Sequence, residues 1–441
     1  MANLSQDVSG QQDLSTMPVP EHAKMGKLSL TMAWWSVCSA VFYIVVGASL
    51  AMSYGAKNAI IGMVLSVVSY GVINAIISRY VISNGLSVAL FSRRLFGKAG
   101  ASLATLIFFL TAIYYAVFEG SVIAVAFNHL LPSLAYKWAA LVVVLYSVPL
   151  IFGSVQHWLD KFNGVLLPFY LIGLAITIGV AVHEYGYQPG WIDAGPAKPV
   201  AYGWWHCFTY YMGVWVLMLY TFDFARFGRK QDSHYHARFN FGMPFYLVTF
   251  LLNGIVGIYL VSSIPQQGSL SELSVVMAIL KLLGFLGLVF VWITQTRINT
   301  ANYYLATINM QAFFEQLKVL KLSRLLWAVI VGALVYAMML ADVFTYLLQA
   351  LAYQGVFVVA WVGAALAHIA LNKGGEMPLE QVPMFYRPGL IAWFASTIAG
   401  MVIMHLSAPF SSFAAPITFV LSLLLYWGLT RADRPMEPVS A

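Results

Sequence analysis

Two charged side chains lie within long apolar stretches of this sequence. Glu119 is flanked by apolar residues in TAIYYAVFEGSVIAVAF, and Arg297 lies in TQTRINTANYY, shortly after GFLGLVFVW. A charge inside bilayer hydrocarbon costs about 2.5 to 3.5 kcal/mol even on a lenient scale, so each needs a partner or a role. A carboxyl group removed from water favours its protonated form, which suits a proton carrier or a ligand-binding acid. For Glu119 the alternative is a structural ion pair, or a neutral acid bonded to a backbone carbonyl.

Arg297 keeps its proton under all ordinary conditions, so its side chain must be paired or bonded to carbonyl oxygens. Its neighbours supply an unusual density of hydrogen-bonding groups, namely Thr294, Thr296, Asn299, Thr300 and Asn302. Such a polar patch faces a cavity or another helix rather than lipid. Structural and functional interpretations of the arginine stay open at this point. A third charge, Asp223 in YTFDFARFGRK, is expected to pair with Arg226 or Arg229 at a helix end.

The sequence contains no recognisable catalytic or metal-binding motif. A glycine-rich phosphate loop, an HExxH pair and a CxxC pair are all missing, and the two cysteines lie in apolar segments. We therefore expect no enzyme activity, no cofactor and no metal site.

Composition identifies the class of protein that must position these residues. The chain is 61% hydrophobic and only 9% charged, against about 25% charged for a soluble domain. Apolar runs of bilayer-spanning length recur along it, so we predict a polytopic, all-α integral membrane protein with the lipid bilayer as its partner. The net charge of +7 does not indicate a nucleic-acid partner, because the basic residues flank the apolar runs. Residues 1–23 are predicted to form a disordered cytoplasmic tail, and residues 24–436 the transmembrane domain.

Hydropathy divides that domain into twelve predicted spans. They lie near residues 28–52, 58–82, 101–129, 137–155, 162–184, 203–224, 239–263, 277–305, 325–340, 343–368, 388–406 and 409–430. With the N-terminus in the cytoplasm, eighteen of the 23 Lys and Arg residues fall on the inner side and three on the outer side. Lys281 and Arg297 fall within the eighth span. This asymmetry predicts cytoplasmic termini and a plasma (inner) membrane location.

Trp215 follows a glycine in the middle of the sixth span, in YYMGVWVLMLYTF. A glycine there permits a break in the helix, and broken helices expose backbone groups to a bound solute. An aromatic ring at such a break suits a flat heterocycle, whereas ordinary core packing is the alternative.

Three stretches together resemble the nucleobase:cation symporter-1 family, which contains the cytosine, purine, uracil, allantoin and hydantoin permeases. These are DFARFGRK at the end of the sixth span, TRINTANYYLATIN in the eighth, and SAVFYIVVGASLAMSY in the first. The resemblance covers about residues 20–430. It implies a leucine-transporter-like fold with two inverted five-helix repeats, approximately 28–184 and 203–368, and two extra helices in 388–430. Spans one and six would be broken at the midplane, with the solute between them and spans three and eight.

The resemblance also implies roles for single residues. Tyr115 and Trp215 would sandwich a flat ring, with Thr294 as a polar contact and Ser39 at the break of the first span. Glu119 would bind the ring or a proton, since the family's usual glutamine falls on Ala112. The ion or coupling site would involve Cys38, Glu119 and Arg297.

The substrate implied is a nucleobase (cytosine or purine) or a related planar nitrogen heterocycle, carried by a permease that is coupled to protons rather than to sodium. Two alternatives stay open. One is a transporter of a small cationic or amino-acid-like solute whose positive group binds Glu119. The other is a membrane sensor or channel, although the sequence contains no ring of pore charges and no output domain.

In the family, two residues of the eighth span would coordinate sodium through their hydroxyl oxygens. These two positions correspond to Arg297 and Ile298 in this sequence. A guanidinium about 4 Å from a cation, at an effective dielectric near 20, repels it by about 4 kcal/mol. We therefore predict that uptake proceeds in sodium-free buffer and that Arg297→Ala impairs it. Uptake measured across a sodium titration at fixed pH and ionic strength tests this, and a saturable rise with sodium would contradict it.

Overall fold

A computed structural model describes residues 17–152, 154–265, 273–316, 319–342, 346–372 and 378–433, with side chains for all of these except 154–165 and 316. Within these ranges the regular structure is helical and no β-strand forms. The first 16 residues of the predicted tail, and the predicted domain beyond residue 433, lie outside the described ranges.

All twelve predicted spans have helical counterparts. The first six are Lys27–Trp35 with Val41–Tyr54, Ala56–Asn84, Ser102–Leu130, Tyr136–Ser147, Ser154–Tyr185, and Gly203–Met212 with Val216–Ala225. The next six are Met243–Tyr246 continuing through Leu247–Leu252 to Asn253–Ser263, then Phe285–Gln316, Arg324–Leu340, Leu347–Leu371, Arg387–Met404 and Ala414–Asp433. Seven described helices are long and apolar enough to cross a bilayer, and the bent halves of span one would form an eighth. Two shorter helices, Val88–Phe96 and Ser274–Leu283, lie in connections.

The predicted eighth span, 277–305, was wrong at its start. Gly284 adopts φ +53° and separates the short helix Ser274–Leu283 from the long helix Phe285–Gln316. Glycine favours this conformation because it lacks a Cβ atom, and the continuous apolar composition concealed the break. Lys281 consequently lies on the short helix rather than inside a span. Its exposed ammonium group donates to the carbonyl of Pro265 at 2.6 Å.

Spans one and six are each interrupted near their middle. In span one a 3-10 turn, Ser36–Ser39, and the extended residue Ala40 separate two helices that bend by 43°. In span six the 3-10 turn Gly213–Trp215 separates the two halves. Both interruptions are buried. The interruption predicted at the glycine of span six is therefore present as a tight 3-10 turn, and its backbone stays in the right-handed helical region.

The core has two parts, and spans three and eight contribute side chains to both. The larger part also includes spans one, two, six, seven and ten, and the second part includes spans four and nine. One face of span two is apolar and exposed. Large apolar side chains lie on it at helical spacing: Ile61, Val64, Leu65, Val68, Val72 and Ile76. This outward apolar stripe is what a bilayer-embedded helix requires.

A segment before span one packs against the ends of spans two and six. The backbone N–H of Val19 donates to Gly85 and that of Met25 to Phe227, at 3.0 and 2.8 Å. The Lys24 ammonium group donates to the carbonyl of Arg226 at 2.6 Å, and its burial lowers the pKa of this group. The predicted tail of residues 1–23 thus includes a segment bound to the helical body.

Gly213 generates the first prediction from the fold. Its φ of −61° suits any residue, but an added Cβ would overlap the carbonyl oxygen of Leu351 on span ten. We expect Gly213→Ala to lower stability by about 1 to 3 kcal/mol through overpacking, measured as the thermal unfolding of the purified protein in detergent. Gly428→Ala is the control, because no atom lies within 4 Å of a Cβ added there. Equal unfolding temperatures for both variants would show that span ten is not held against the break.

Candidate functional site

A cavity lies between the break of span one, the helix Val216–Ala225 of span six and the middle of spans three and eight. Its volume is about 60 Å³, and one water needs roughly 10 to 15 Å³ on this measure, so it has room for several waters. Four spans contribute its lining: Val37, Ala40, Phe42, Tyr43, Tyr115, Glu119, Leu217, Tyr220, Ile298 and Asn302. This is the position at which a leucine-transporter-like fold binds its substrate.

Three polar groups of this lining have no hydrogen-bond partner among the described residues. They are Glu119 Oε2, Tyr220 Oη and Asn302 Nδ2. Glu119 is only 2% exposed and Asn302 6%, so water outside the protein does not satisfy them. Leaving a buried polar group unpaired costs about 1 to 3 kcal/mol. These three groups give the cavity both hydrogen-bond donors and acceptors that a ligand or water can use.

The aromatic wall of the cavity comes from spans one and three. The Phe42 ring meets Tyr115 edge-on, with centroids 5.1 Å apart. Gln354 of span ten fixes Tyr115, because its Nε2 donates to Tyr115 Oη at 3.1 Å and to the Gly213 carbonyl at 2.8 Å. One amide group thus connects span three, span ten and the break of span six.

Trp215 lies outside this lining. Its ring packs edge-on against Tyr70 and Phe419, at centroid distances of 6.0 and 5.2 Å. The aromatic residue that span six contributes to the cavity is Tyr220, five residues further on. Tyr115 and Trp215 are therefore not brought together as two faces of one pocket in this structure.

The other predicted site residues divide into two groups. Tyr115 and Glu119 line the cavity, whereas Cys38, Ser39 and Thr294 lie fully buried behind it. The Ser39 hydroxyl donates to the Ser36 carbonyl at 2.7 Å, and the Thr294 hydroxyl to the Phe290 carbonyl at 2.8 Å.

Arg297 is half-buried, and the next residue, Ile298, lines the cavity. The arginine thus lies beside the site without forming its wall.

Asp223 stabilises a connecting helix. Its Oδ1 accepts the backbone N–H of Val88 at 3.3 Å, at the start of the helix Val88–Phe96, where a negative charge interacts favourably with the helix dipole. The charge of Arg226 acts on the same carboxylate, and Arg226 Nε donates to the backbone carbonyl of Asp223 at 3.4 Å. Arg226 thus acts on the carboxylate through its charge and bonds to the backbone carbonyl of Asp223, and the contact of Asp223 with Val88 is one that the sequence did not indicate.

Sequence reasoning predicted only Tyr115 and Glu119 of the ten lining residues, and Phe42, Tyr220 and Asn302 are among those it missed. Asn302 belonged to the polar patch around Arg297, and a helical count gave a usable signal. It lies four residues after Ile298, so the two side chains share one face of span eight. Phe42 and Tyr220 carried no such signal, because aromatic residues are frequent throughout the chain.

No protein-family model matches the sequence, and no curated protein matches it either. The fold, however, matches solved structures. Mhp1 in an inward-facing conformation superposes with a TM-score of 0.76 at 12% identity, over 94% of this chain and 92% of that one. Mhp1 in a closed conformation with bromovinylhydantoin bound, described as a nucleobase-cation-symport-1 family transporter, gives 0.70 at 13% identity, over 95% of each chain. A Na+-coupled sialic acid symporter in a substrate-bound outward-open state gives 0.53 at 10% identity, over 95% of this chain and 91% of that one.

These matches define the class. The chain is a multi-pass membrane protein that shares the fold of Mhp1, and this is the leucine-transporter-like fold that the resemblance implied. Within that class its fold agrees more closely with Mhp1 than with the sialic acid symporter, since the TM-scores are 0.76 and 0.70 against 0.53.

Proposed function

We propose that this protein is a secondary-active permease, and not an enzyme, that imports a nucleobase or a related planar nitrogen heterocycle. It would act in the plasma (inner) membrane with both termini in the cytoplasm. The observation that carries the proposal is the cavity beside the break of span one, with three polar groups that have no hydrogen-bond partner among the described residues and an aromatic wall. The bromovinylhydantoin in the closed Mhp1 structure supports a heterocyclic ligand.

The chemistry of the lining suits the edge and face of such a ring. A nucleobase presents N–H donors beside carbonyl or ring-nitrogen acceptors along one edge. Asn302 Nδ2 can donate to an acceptor, and Glu119 can accept from an N–H or, when protonated, donate to a ring nitrogen. Phe42 and Tyr115 provide apolar contact for the ring itself. The cavity of about 60 Å³ must widen to admit a ring, and a single ring needs less widening than a fused pair.

Glu119 is the proposed proton carrier. The carboxyl lies 2% exposed, and Oε2 has no hydrogen-bond partner in the described part of the chain. An ionised carboxylate in that environment would lose its hydration without a compensating partner. We infer that Glu119 holds a proton while the substrate is bound and releases it when the site opens to the cytoplasm.

A transporter for a small cationic or amino-acid-like solute is the second candidate. The same carboxyl favours it, because an ionised Glu119 could pair with an ammonium group that enters the cavity. Purified protein in liposomes separates the two candidates. Uptake of labelled cytosine, uracil and hydantoin should be saturable and mutually competitive. Competition by amino acids or quaternary amines, with none by the heterocycles, would instead establish the second candidate.

The aromatic wall gives a prediction about ligand affinity. Tyr115→Ala removes a ring that touches the cavity, so we expect affinity for the heterocycle to fall at least tenfold, in line with about 1 to 3 kcal/mol per buried aromatic. Trp215→Phe should leave affinity within about twofold, because the Trp215 ring packs against Tyr70 and Phe419. Equilibrium binding by scintillation proximity measures both, with size-exclusion profiles as the folding control. Loss of affinity in the tryptophan variant alone would place the ligand on the other side of the break.

Glu119→Gln tests the coupling. The amide keeps the shape of the side chain but cannot exchange a proton, so accumulation driven by an acidic exterior should disappear. Exchange of labelled for unlabelled substrate should persist, because it needs no net proton movement. Glu315→Gln is the control, since it also replaces one carboxyl group by an amide. Glu315 is exposed, and its carboxylate accepts a hydrogen bond from Gln311. Accumulation that keeps its pH dependence in Glu119→Gln would make the acid a structural residue.

A further inference from the structure

The break of span one is held by two side-chain amides. Asn253 of span seven donates from Nδ2 to the carbonyl of Cys38 at 2.8 Å. Gln295 of span eight accepts the backbone N–H of Val41 at 3.2 Å through Oε1. Both amides are fully buried. One satisfies a carbonyl released before the break, and the other an N–H released after it.

Hydrogen-bond chemistry fixes the orientation of both amides. A carbonyl oxygen only accepts and a peptide N–H only donates, so neither amide can flip without losing its bond to span one. Asn253 Oδ1 accepts from the Tyr170 hydroxyl at 3.0 Å, which adds span five. Gln295 Nε2 donates to Thr294 Oγ1 at 2.8 Å. Each amide is therefore satisfied at both ends.

A coupling sodium fits these residues poorly. In transporters with broken helices, unwound backbone carbonyls coordinate the ion, and the resemblance assigns that role to Cys38 together with two hydroxyl groups of span eight. The Cys38 carbonyl oxygen already accepts a hydrogen bond from Asn253. The partial positive charge on that hydrogen opposes the binding of a cation to the same oxygen. The two positions on span eight hold Arg297 and Ile298, whose side chains contain no oxygen.

We propose that Asn253 and Gln295 take the place of the coupling cation by pinning the break of span one. The amides hold the break at every sodium concentration, and so keep Ala40, Phe42 and Tyr43 in the cavity wall. Asn253 acts as a positioning residue, since it touches the backbone of span one and does not line the cavity. The inference rests on the proposed function only in that the pinned break forms the substrate site.

Sodium-dependent thermal unfolding of the purified protein tests the inference without any substrate. Sodium chloride is titrated against choline chloride at constant ionic strength. The unfolding temperature of the unaltered protein should not respond specifically to sodium. Asn253→Asp places a carboxylate beside the Cys38 carbonyl, which makes a set of oxygens, and its unfolding temperature should rise saturably with sodium. Asn309→Asp is the matched control, because that amide bonds only to Leu305 of its own helix; it should show no sodium-specific rise.

Binding of labelled cytosine or hydantoin provides the second readout. We expect the affinity of the unaltered protein to be the same with and without sodium. Asn253→Asp should bind at least tenfold more weakly without sodium and recover part of the loss when sodium is added. Asn253→Ala, which removes the bond without adding a charge, should bind at least tenfold more weakly at every sodium concentration. It also serves as the test if the aspartate variant fails to fold.

Two results would overturn the inference. One is a saturable, sodium-specific stabilisation of the unaltered protein. The other is wild-type affinity and sodium indifference in a folded Asn253 variant. If no heterocycle binds the unaltered protein, the proposed function fails, but the unfolding titration still decides whether the amides replace the cation.

Discussion

The whole structure depends on one constraint, which is that a helix interrupted inside a bilayer must find partners for the backbone groups it releases. Lipid provides no hydrogen bonds, so irregular backbone at membrane depth is tolerated only where protein or a cavity surrounds it. Here side-chain amides from neighbouring helices supply those partners. Asn253 and Gln295 serve span one, and Gln354 serves the Gly213 carbonyl of span six. Because each amide comes from a different span, satisfying the breaks also fixes how the helices pack.

The cavity follows from the same constraint. The break of span one leaves a space beside it, and side chains of spans three, six and eight enclose that space. The polar groups in and behind its wall differ in how they are hydrogen-bonded. Amides behind the break are satisfied at both ends, whereas Glu119, Tyr220 and Asn302 each keep a free polar atom toward the cavity. Satisfied groups hold the shape, and unsatisfied ones remain available to a ligand.

The fold could be read largely from the sequence, and the site only in part. Apolar runs located all twelve spans, and the glycine before Trp215 located the break of span six, because both signals are local. Glu119 was identifiable because a carboxyl among apolar residues has few explanations. The direction of a ring depends on tertiary packing, and so Trp215 drew attention while Tyr220 did not. Asn253 and Gln295 were also unrecognisable, since an amide's partner can be far away in the chain. The Asn253 bond spans 215 positions of the sequence, and the Gln295 bond spans 254.

The segment that precedes span one has a mechanical consequence. Three hydrogen bonds join it to the ends of spans two and six, through Val19, Lys24 and Met25. A movement that parts those two ends must break the bond of Val19 to Gly85, or the two bonds of Lys24 and Met25 to the end of span six. At about 1 kcal/mol for a hydrogen bond, loss of the single Val19 bond would reduce the parted population about fivefold. The segment before span one thus raises the free energy that is needed to separate these two helix ends.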